Sequence, residues 1–237
     1  MRRILLGAAV VALAATGCTL DAKEAHAAQT FPFTGTTLTI RSSLGGLRVL
    51  PGAAGRIEVD RWTRGKASDG PTWSLRDGTL RLGANCTVVF GDCGARYHLK
   101  VPPGVRLSVD GDDGVILDGL AQDVDVSTRG RIQVQGATGR LRLLSDDGPI
   151  TGDGLKSAYV RGRSSSGAID LAFTSPPSEL DLLSQDGGVT VRVPKADYAV
   201  KATSAEGSER SEFRNAKGSD RSITARSMSG NVRVLAR

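Results

Sequence analysis

Four carboxylates stand at one recurring place in this chain, just before a glycine that closes a short alternating apolar segment: Asp113, Asp147, Asp186 and Glu206. Arg129, Ser166 and Ser229 fill the same place elsewhere. If the segments stack as neighbouring strands, about 4.8 Å apart, these residues form a ladder. Carboxylates in such a ladder can divide acid and base roles in cleaving a polysaccharide, or hold Ca²⁺ through oxygen ligands. The competing reading is turn chemistry, because Asp-Gly suits a chain reversal and a charge keeps the corner solvated. Turn preference by itself accounts for every member, so the ladder is a candidate ligand or cation site and a catalytic set is not expected.

Other chemistry is sparse. The two histidines are His26, near the N-terminus, and His98, in the strand-like alternation Tyr97-His98-Leu99-Lys100-Val101. The sequence has no H-E-x-x-H, no G-x-S-x-G elbow and no phosphate-binding glycine loop leading into a helix. Neither a cofactor nor a metal centre is expected. The three cysteines are Cys18, Cys86 and Cys93. In an exported protein the last two would form a disulfide. A metal site, the alternative, would need more partners than His98.

The elements that must position these residues are announced by the glycines, 30 of the 237 residues. The string G-x-Φ-x-Φ, with Φ being Val, Ile or Leu, starts at Gly45, Gly55, Gly78, Gly130, Gly139, Gly167, Gly187 and Gly230. Counting back from Gly114, Gly148, Gly167, Gly187, Gly207 and Gly230, position −7 is Leu, Val or Ile throughout. Position −3 is Gly111, Ser145, Ser164, Ser184, Ser204 and Ser227. Gly130 joins the set with Ser127 at −3 and its apolar pair, Val124 and Val126, one place closer. Alternation of period two after a glycine reads as a strand entered from a turn. The glycine would supply a positive φ at the corner, and the small residue would let the chain cross the core. These glycines recur every 16 to 23 residues. The predicted fold is all-β, a single-domain β-solenoid or parallel β-helix-like stack of coils about 20 residues long. A plain sandwich would explain the strands but not the serine kept three places before a glycine.

Arg2 and Arg3 precede an uncharged stretch from Ile4 to Ala14, and Ala15-Thr16-Gly17-Cys18 follows. The stretch is too short to span a bilayer and suits the apolar region of a signal peptide. Small residues before Cys18 resemble the bacterial lipobox, in which the peptide is cut before the cysteine and the cysteine is lipidated. The expected organisation is a signal peptide over 1–17, a lipidated Cys18 with a linker tether over 18–30, and the β domain over 31–237. Cleavage after Ala25-His26-Ala27 is the rival reading. The net charge of +6 is modest and its basic residues are interspersed with acids. Nucleic acid, which calls for a denser basic patch with stacking aromatics, is excluded as a partner.

Val101-Pro102-Pro103-Gly104 followed by Leu107-x-Val109, Ser164-x-x-Gly-x-Ile-x-Leu171, and Val193-Pro194 with Tyr198-Ala199-Val200 and Ser204 occur in the order of one known pattern. Over residues 37–237 the chain resembles the bacterial putative-adhesin β-strand-repeat family, a domain of unknown function in exported and membrane-anchored proteins. That resemblance implies a parallel β-helix-like fold and no established activity. Two regions depart from it. Ser208–Arg221 replaces the expected x-Φ-x-Φ and reads as a polar loop bulging from the last coils. Residues 61–74 carry Trp62 and Trp73, either as core or capping residues or as a sugar-stacking platform.

The function expected is that of a cell-envelope protein held to the outer face of the membrane by lipid on Cys18, with a non-catalytic, adhesive or structural surface. Its partners would be the membrane, through that anchor, and an envelope glycan or protein. A carbohydrate-active enzyme using the Asp ladder and an envelope-stress or sensory accessory protein are the alternatives.

Overall fold

The computed structural model describes residues 24–86 and 92–237. Cys18 and the segment read as a signal peptide lie outside the described residues. Among the described residues the chain is all-β, with one short 3-10 turn at Lys66–Ser68. The strands are β1 (Glu24–Pro32), β2 (Thr37–Ser42), β3 (Gly46–Pro51), β4 (Arg56–Gly65), β5 (Thr72–Arg76), β6 (Thr79–Gly83) and β7 (Cys93–Val101). There follow β8 (Arg106–Gly111), β9 (Val115–Asp118), β10 (Val124–Thr128), β11 (Ile132–Gln135), β12 (Leu141–Ser145), β13 (Ile150–Leu155) and β14 (Tyr159–Ser164). The last seven are β15 (Ile169–Phe173), β16 (Glu179–Ser184), β17 (Val189–Val193), β18 (Ala199–Ser204), β19 (Glu209–Ser211), β20 (Ser222–Ser227) and β21 (Val232–Ala236).

These strands form two sheets. The long sheet has eleven strands in the order β1-β4-β7-β3-β9-β11-β13-β15-β17-β21-β19, and the short sheet has ten, β18-β20-β16-β14-β12-β10-β8-β2-β6-β5. From β8 to β17 consecutive strands alternate between the sheets, and each pairs in parallel with the strand two places on. Alternation along each strand turns one set of side chains inward, so Leu141, Leu143, Leu180, Leu182 and Val189 are buried while their neighbours face water. The buried set forms one continuous apolar cluster from Phe31 to Val234.

The repeat units do not stack in chain order at either end. Units β6/β7 and β2/β3 are exchanged, since β2 lies between β6 and β8 and β3 lies between β7 and β9. At the other end β20/β21 inserts between β16/β17 and β18/β19. The polar stretch read as a bulging loop is therefore two things. Glu209–Ser211 is the edge strand β19, and only the remainder crosses back over the outermost unit. β4 and β5 run antiparallel to β7 and β6, and β1 runs antiparallel to β4. Residues 24–30, read as linker, are thus part of an edge strand.

The corner chemistry differs from the expectation in one respect. Among the described residues, positive φ occurs as expected at Gly45, Gly55 and Gly78, and also at Gly119, Gly136 and Gly154 in the opposite corner, but not at the repeat glycines 130, 148, 167, 187, 207 and 230. Those glycines answer a different demand. A Cβ on Gly148, Gly167, Gly187 or Gly230 would overlap the backbone of the adjacent unit, and one on Gly207 would sit 2.6 Å from the Gly230 oxygen. The chain needs closeness there, not a left-handed turn.

The serine three places earlier completes the corner. The N–H of Gly167 donates to Ser164 Oγ at 2.9 Å, and Ser164 Oγ donates to the Gly148 carbonyl of the unit behind at 3.2 Å. Ser184 links Gly187 to Gly167, Ser227 links Gly230 to Gly187, and Ser204 links Gly207 to Gly230. Ser145 and Ser184 are fully buried. Ser42 shows the same small residue before Gly45, within Leu38-x-Ile40-x-Ser42, and Thr128 takes the place in the unit that is one residue shorter.

Ser184→Ala strands a buried N–H and a buried carbonyl, and is expected to lower unfolding free energy by about 1–3 kcal/mol in urea titration. Gly167→Ala should do at least as much by forcing two backbones apart, whereas Ser166→Ala on the exposed tip of the same corner should stay within about 0.5 kcal/mol. Hydrogen exchange tests the permuted end: amides of β21, close to the C-terminus, should exchange as slowly as those of β17, and amides of β19 should exchange much faster.

Candidate functional site: the outer face of the short sheet

The corner column is built as the repeat demands, but its acids alternate with other residues. Asp147 N–H donates to Arg129 O at 2.9 Å, Ser166 N–H to Asp146 O at 3.0 Å, Asp186 N–H to Ser165 O at 2.9 Å, and Glu206 N–H to Met228 O at 2.9 Å. Along the stack the column thus reads Asp113, Arg129, Asp147, Ser166, Asp186, Ser229, Glu206. Neighbouring acids are two rungs apart, about 10 Å. Asp113 Oδ2 accepts the Gly45 N–H at 2.5 Å and so ties its corner to that of the neighbouring β2/β3 unit. Among the described residues no group of three or more His, Cys, Asp or Glu could hold a metal ion. Cys86 and Cys93 are bonded to each other, with Cα atoms 5.9 Å apart.

The two tryptophans do not share a platform. Arg61 points inward from β4 and lies 3.9 Å over the ring of Trp73, which packs against the core from β5. Trp62, the next residue, faces out of the long sheet. There His26 stacks on it at 4.8 Å, His98 meets it edge-on at 4.7 Å, and Arg96 lies over it at 4.8 Å. Burial, then Arg48 and Arg96, hold the His98 imidazole below its ordinary pKa against the pull of Asp60.

A concavity lies on the short sheet, where none of the sequence candidates sits. It is an open groove of about 460 Å³ crossing β8, β10, β12, β14 and β16. Register defines its floor. One row across the strands is Arg106, Asp123, Arg140, Tyr159 and Glu179, and the next is Ser108, Asp125, Arg142, Arg161 and Asp181. Each residue is the outward partner of a buried leucine or valine, so the core fixes where it stands. Arg106 pairs with Asp123 at 3.8 Å and Arg142 with Asp125 at 4.0 Å. Arg140 donates its backbone N–H to Asp123 at 2.9 Å and sets its guanidinium 5.1 Å over the Tyr159 ring. Tyr159 is 44% exposed, among the few large apolar side chains so open.

Asp181 anchors the far end of the groove. Arg163 contacts it directly, Arg226 lies 3.2 Å away and Arg161 3.7 Å away. Partial burial alone would raise its carboxyl, and the three guanidiniums, Arg163 foremost, override that and hold it below the ordinary aspartate value.

No protein-family model and no curated protein matches the chain. Solved structures do. A putative adhesin from Bacteroides fragilis NCTC 9343 superposes with a TM-score of 0.60 at 13% identity, over 89% of this chain and 97% of that one. A putative cell adhesion protein from Clostridium sporogenes ATCC 15579 matches with a TM-score of 0.43 at 11% identity, over 91% of this chain and 100% of the other. A putative lipid binding protein from Parabacteroides distasonis ATCC 8503 matches with a TM-score of 0.49 at 10% identity, over 88% of this chain and 96% of that chain. The first of these shows a shared fold, as the resemblance read from the sequence implies.

Because the folded-state pKa of Asp181 is depressed, its contribution to stability is complete above the ordinary value near 4 and is lost as pH falls through the lower folded value. Urea titrations run from about pH 5 downward should show this loss in the parent chain. Asp181→Asn, which leaves three arginines without their acid, should be less stable at neutral pH and should lack that acid-side component.

Proposed function

We propose that this chain is displayed on the outer face of the bacterial envelope by lipid on Cys18, and that its stacked units, wound as a β-solenoid, present a binding surface without catalysis. The observation that carries the reading is the groove itself. Its polar rows recur on five successive strands of one sheet, over a core that leaves the backbone no freedom to collapse. The shared fold with a protein called a putative adhesin supports a surface role. A Cys86–Cys93 disulfide suits an oxidising compartment. The alternating corner column favours turn chemistry over a cleaving pair, since its acids are not neighbours.

Fractionation and binding test this together. The parent chain should partition with membranes and be released by Cys18→Ala. The released chain should co-sediment with isolated envelope material without generating new reducing ends or unsaturated products. Membrane retention of the Cys18→Ala chain would refute the anchor, and product formation would replace a binding surface with an enzyme.

A further inference from the structure

We propose that the short-sheet groove binds an uncharged, hydroxyl-rich glycan strand laid across β8 to β16, with one sugar ring stacked on Tyr159. This rests on the binding-surface reading above and names its site and ligand class.

The charge pattern selects the ligand. The groove floor sets four arginines, Arg106, Arg140, Arg142 and Arg161, among four carboxylates, Asp123, Asp125, Glu179 and Asp181, and neither sign fills a row. A polyanion would meet two carboxylates in each row, and a polycation would meet two arginines. A sugar hydroxyl both donates and accepts, so it can accept from a guanidinium and donate to the next carboxylate without an unpaired charge on either side. Hydrogen bonds to charged groups are also the stronger kind.

Tyr159 supplies what a hydroxyl-binding surface otherwise lacks. It interrupts the charged row between Arg140 and Glu179, and Arg140 lies over its ring while nearly half of the residue stays open to solvent. An exposed ring of this kind offers an apolar face to the C–H side of a pyranose. A lone tyrosine on a protein surface is unremarkable, but one set into the floor of a groove between ordered donor–acceptor pairs is placed for stacking. The shape fits as well. The groove is open-sided and runs along the stack, so a polymer can enter and leave, and each strand crossed presents an equivalent rung about 4.8 Å further on. Its volume lies within the range of ligand clefts. The backbone below is held by parallel pairing on both sides, so little ordering is required on binding.

The test uses the full-length chain with Cys18→Ala, which frees it from membranes. Cellohexaose, laminarihexaose, mannohexaose and chitohexaose serve as uncharged probes and polygalacturonate as an anionic one, each titrated by calorimetry over a salt series. At least one uncharged hexaose should bind, with affinity changing little with salt. Tyr159→Ala should weaken it on the order of tenfold or more, while Trp62→Ala, on the opposite sheet, should leave it unchanged. Since Tyr159 is exposed, its loss should not shift the melting temperature, which separates lost binding from lost folding. Binding of polygalacturonate alone, with steep salt dependence, would overturn the uncharged assignment. Failure of all four hexaoses would do the same. If envelope material still binds the Tyr159→Ala chain as tightly as the parent, the surface reading survives and this groove is refuted.

Discussion

Everything in this structure depends on how closely one unit can lie against the next, and a serine hydroxyl caught between two glycines sets that distance. The hydroxyl accepts an N–H from its own corner and donates to the carbonyl of the corner behind, as Ser184 does between Gly187 and Gly167. A buried corner without it would leave both backbone groups unpaired at the turn. The glycine must lack a Cβ because the adjacent backbone occupies that space. Once the corners are fixed, strands on either side have no choice of register, and alternation then decides which side chains are buried.

The groove follows from the same constraint. Its rows exist because residues eight and six places before each repeat glycine, such as Arg140 and Arg142 before Gly148 or Tyr159 and Arg161 before Gly167, are brought into line by stacking. Neighbours within a row are 17 to 20 residues apart in sequence. A repeat fold thus turns positions that are individually unremarkable into a continuous surface, and the exposed positions can vary freely because the corner and the core carry the fold.

This explains what could be read from the sequence and what could not. The strand pattern, the corners and the all-β class were legible because they rest on periodic positions with one dominant physical demand, burial or close approach. The positive φ expected of the glycines holds at Gly45, Gly55 and Gly78 but not at the stacked corners, because the sequence does not distinguish a left-handed turn from a forbidden Cβ. Along the stack the left-handed glycines include Gly119, Gly136 and Gly154, the last position of Φ-x-Φ-x-G in the opposite corner or its equivalent, where Gly152 replaces an apolar residue. The groove residues escaped notice because attention fell on the residue next to the glycine. Aligning the outward positions of each strand by the repeat, and reading down the column, would have placed Tyr159 between Arg140 and Glu179.

The exchanged units at the C-terminal end have a cause that the sequence also carries. The unit β18/β19 has Val200 and Ala202 in its first strand but only Glu209, Arg210 and Ser211 in its second, so it can bury little. The unit β20/β21 has Ile223, Ala225, Val232 and Val234, all buried. A unit with two apolar strands placed at the end would expose one side of its core, whereas the polar unit there loses nothing. The chain therefore runs past its own end and returns through Phe213, whose ring closes on the buried Tyr198 at 5.2 Å, to insert its last strands one rung inward. The outermost edge is left to a three-residue charged strand. Short and charged edges resist pairing with other chains, so one departure from chain order both completes the core and blunts the end of the stack.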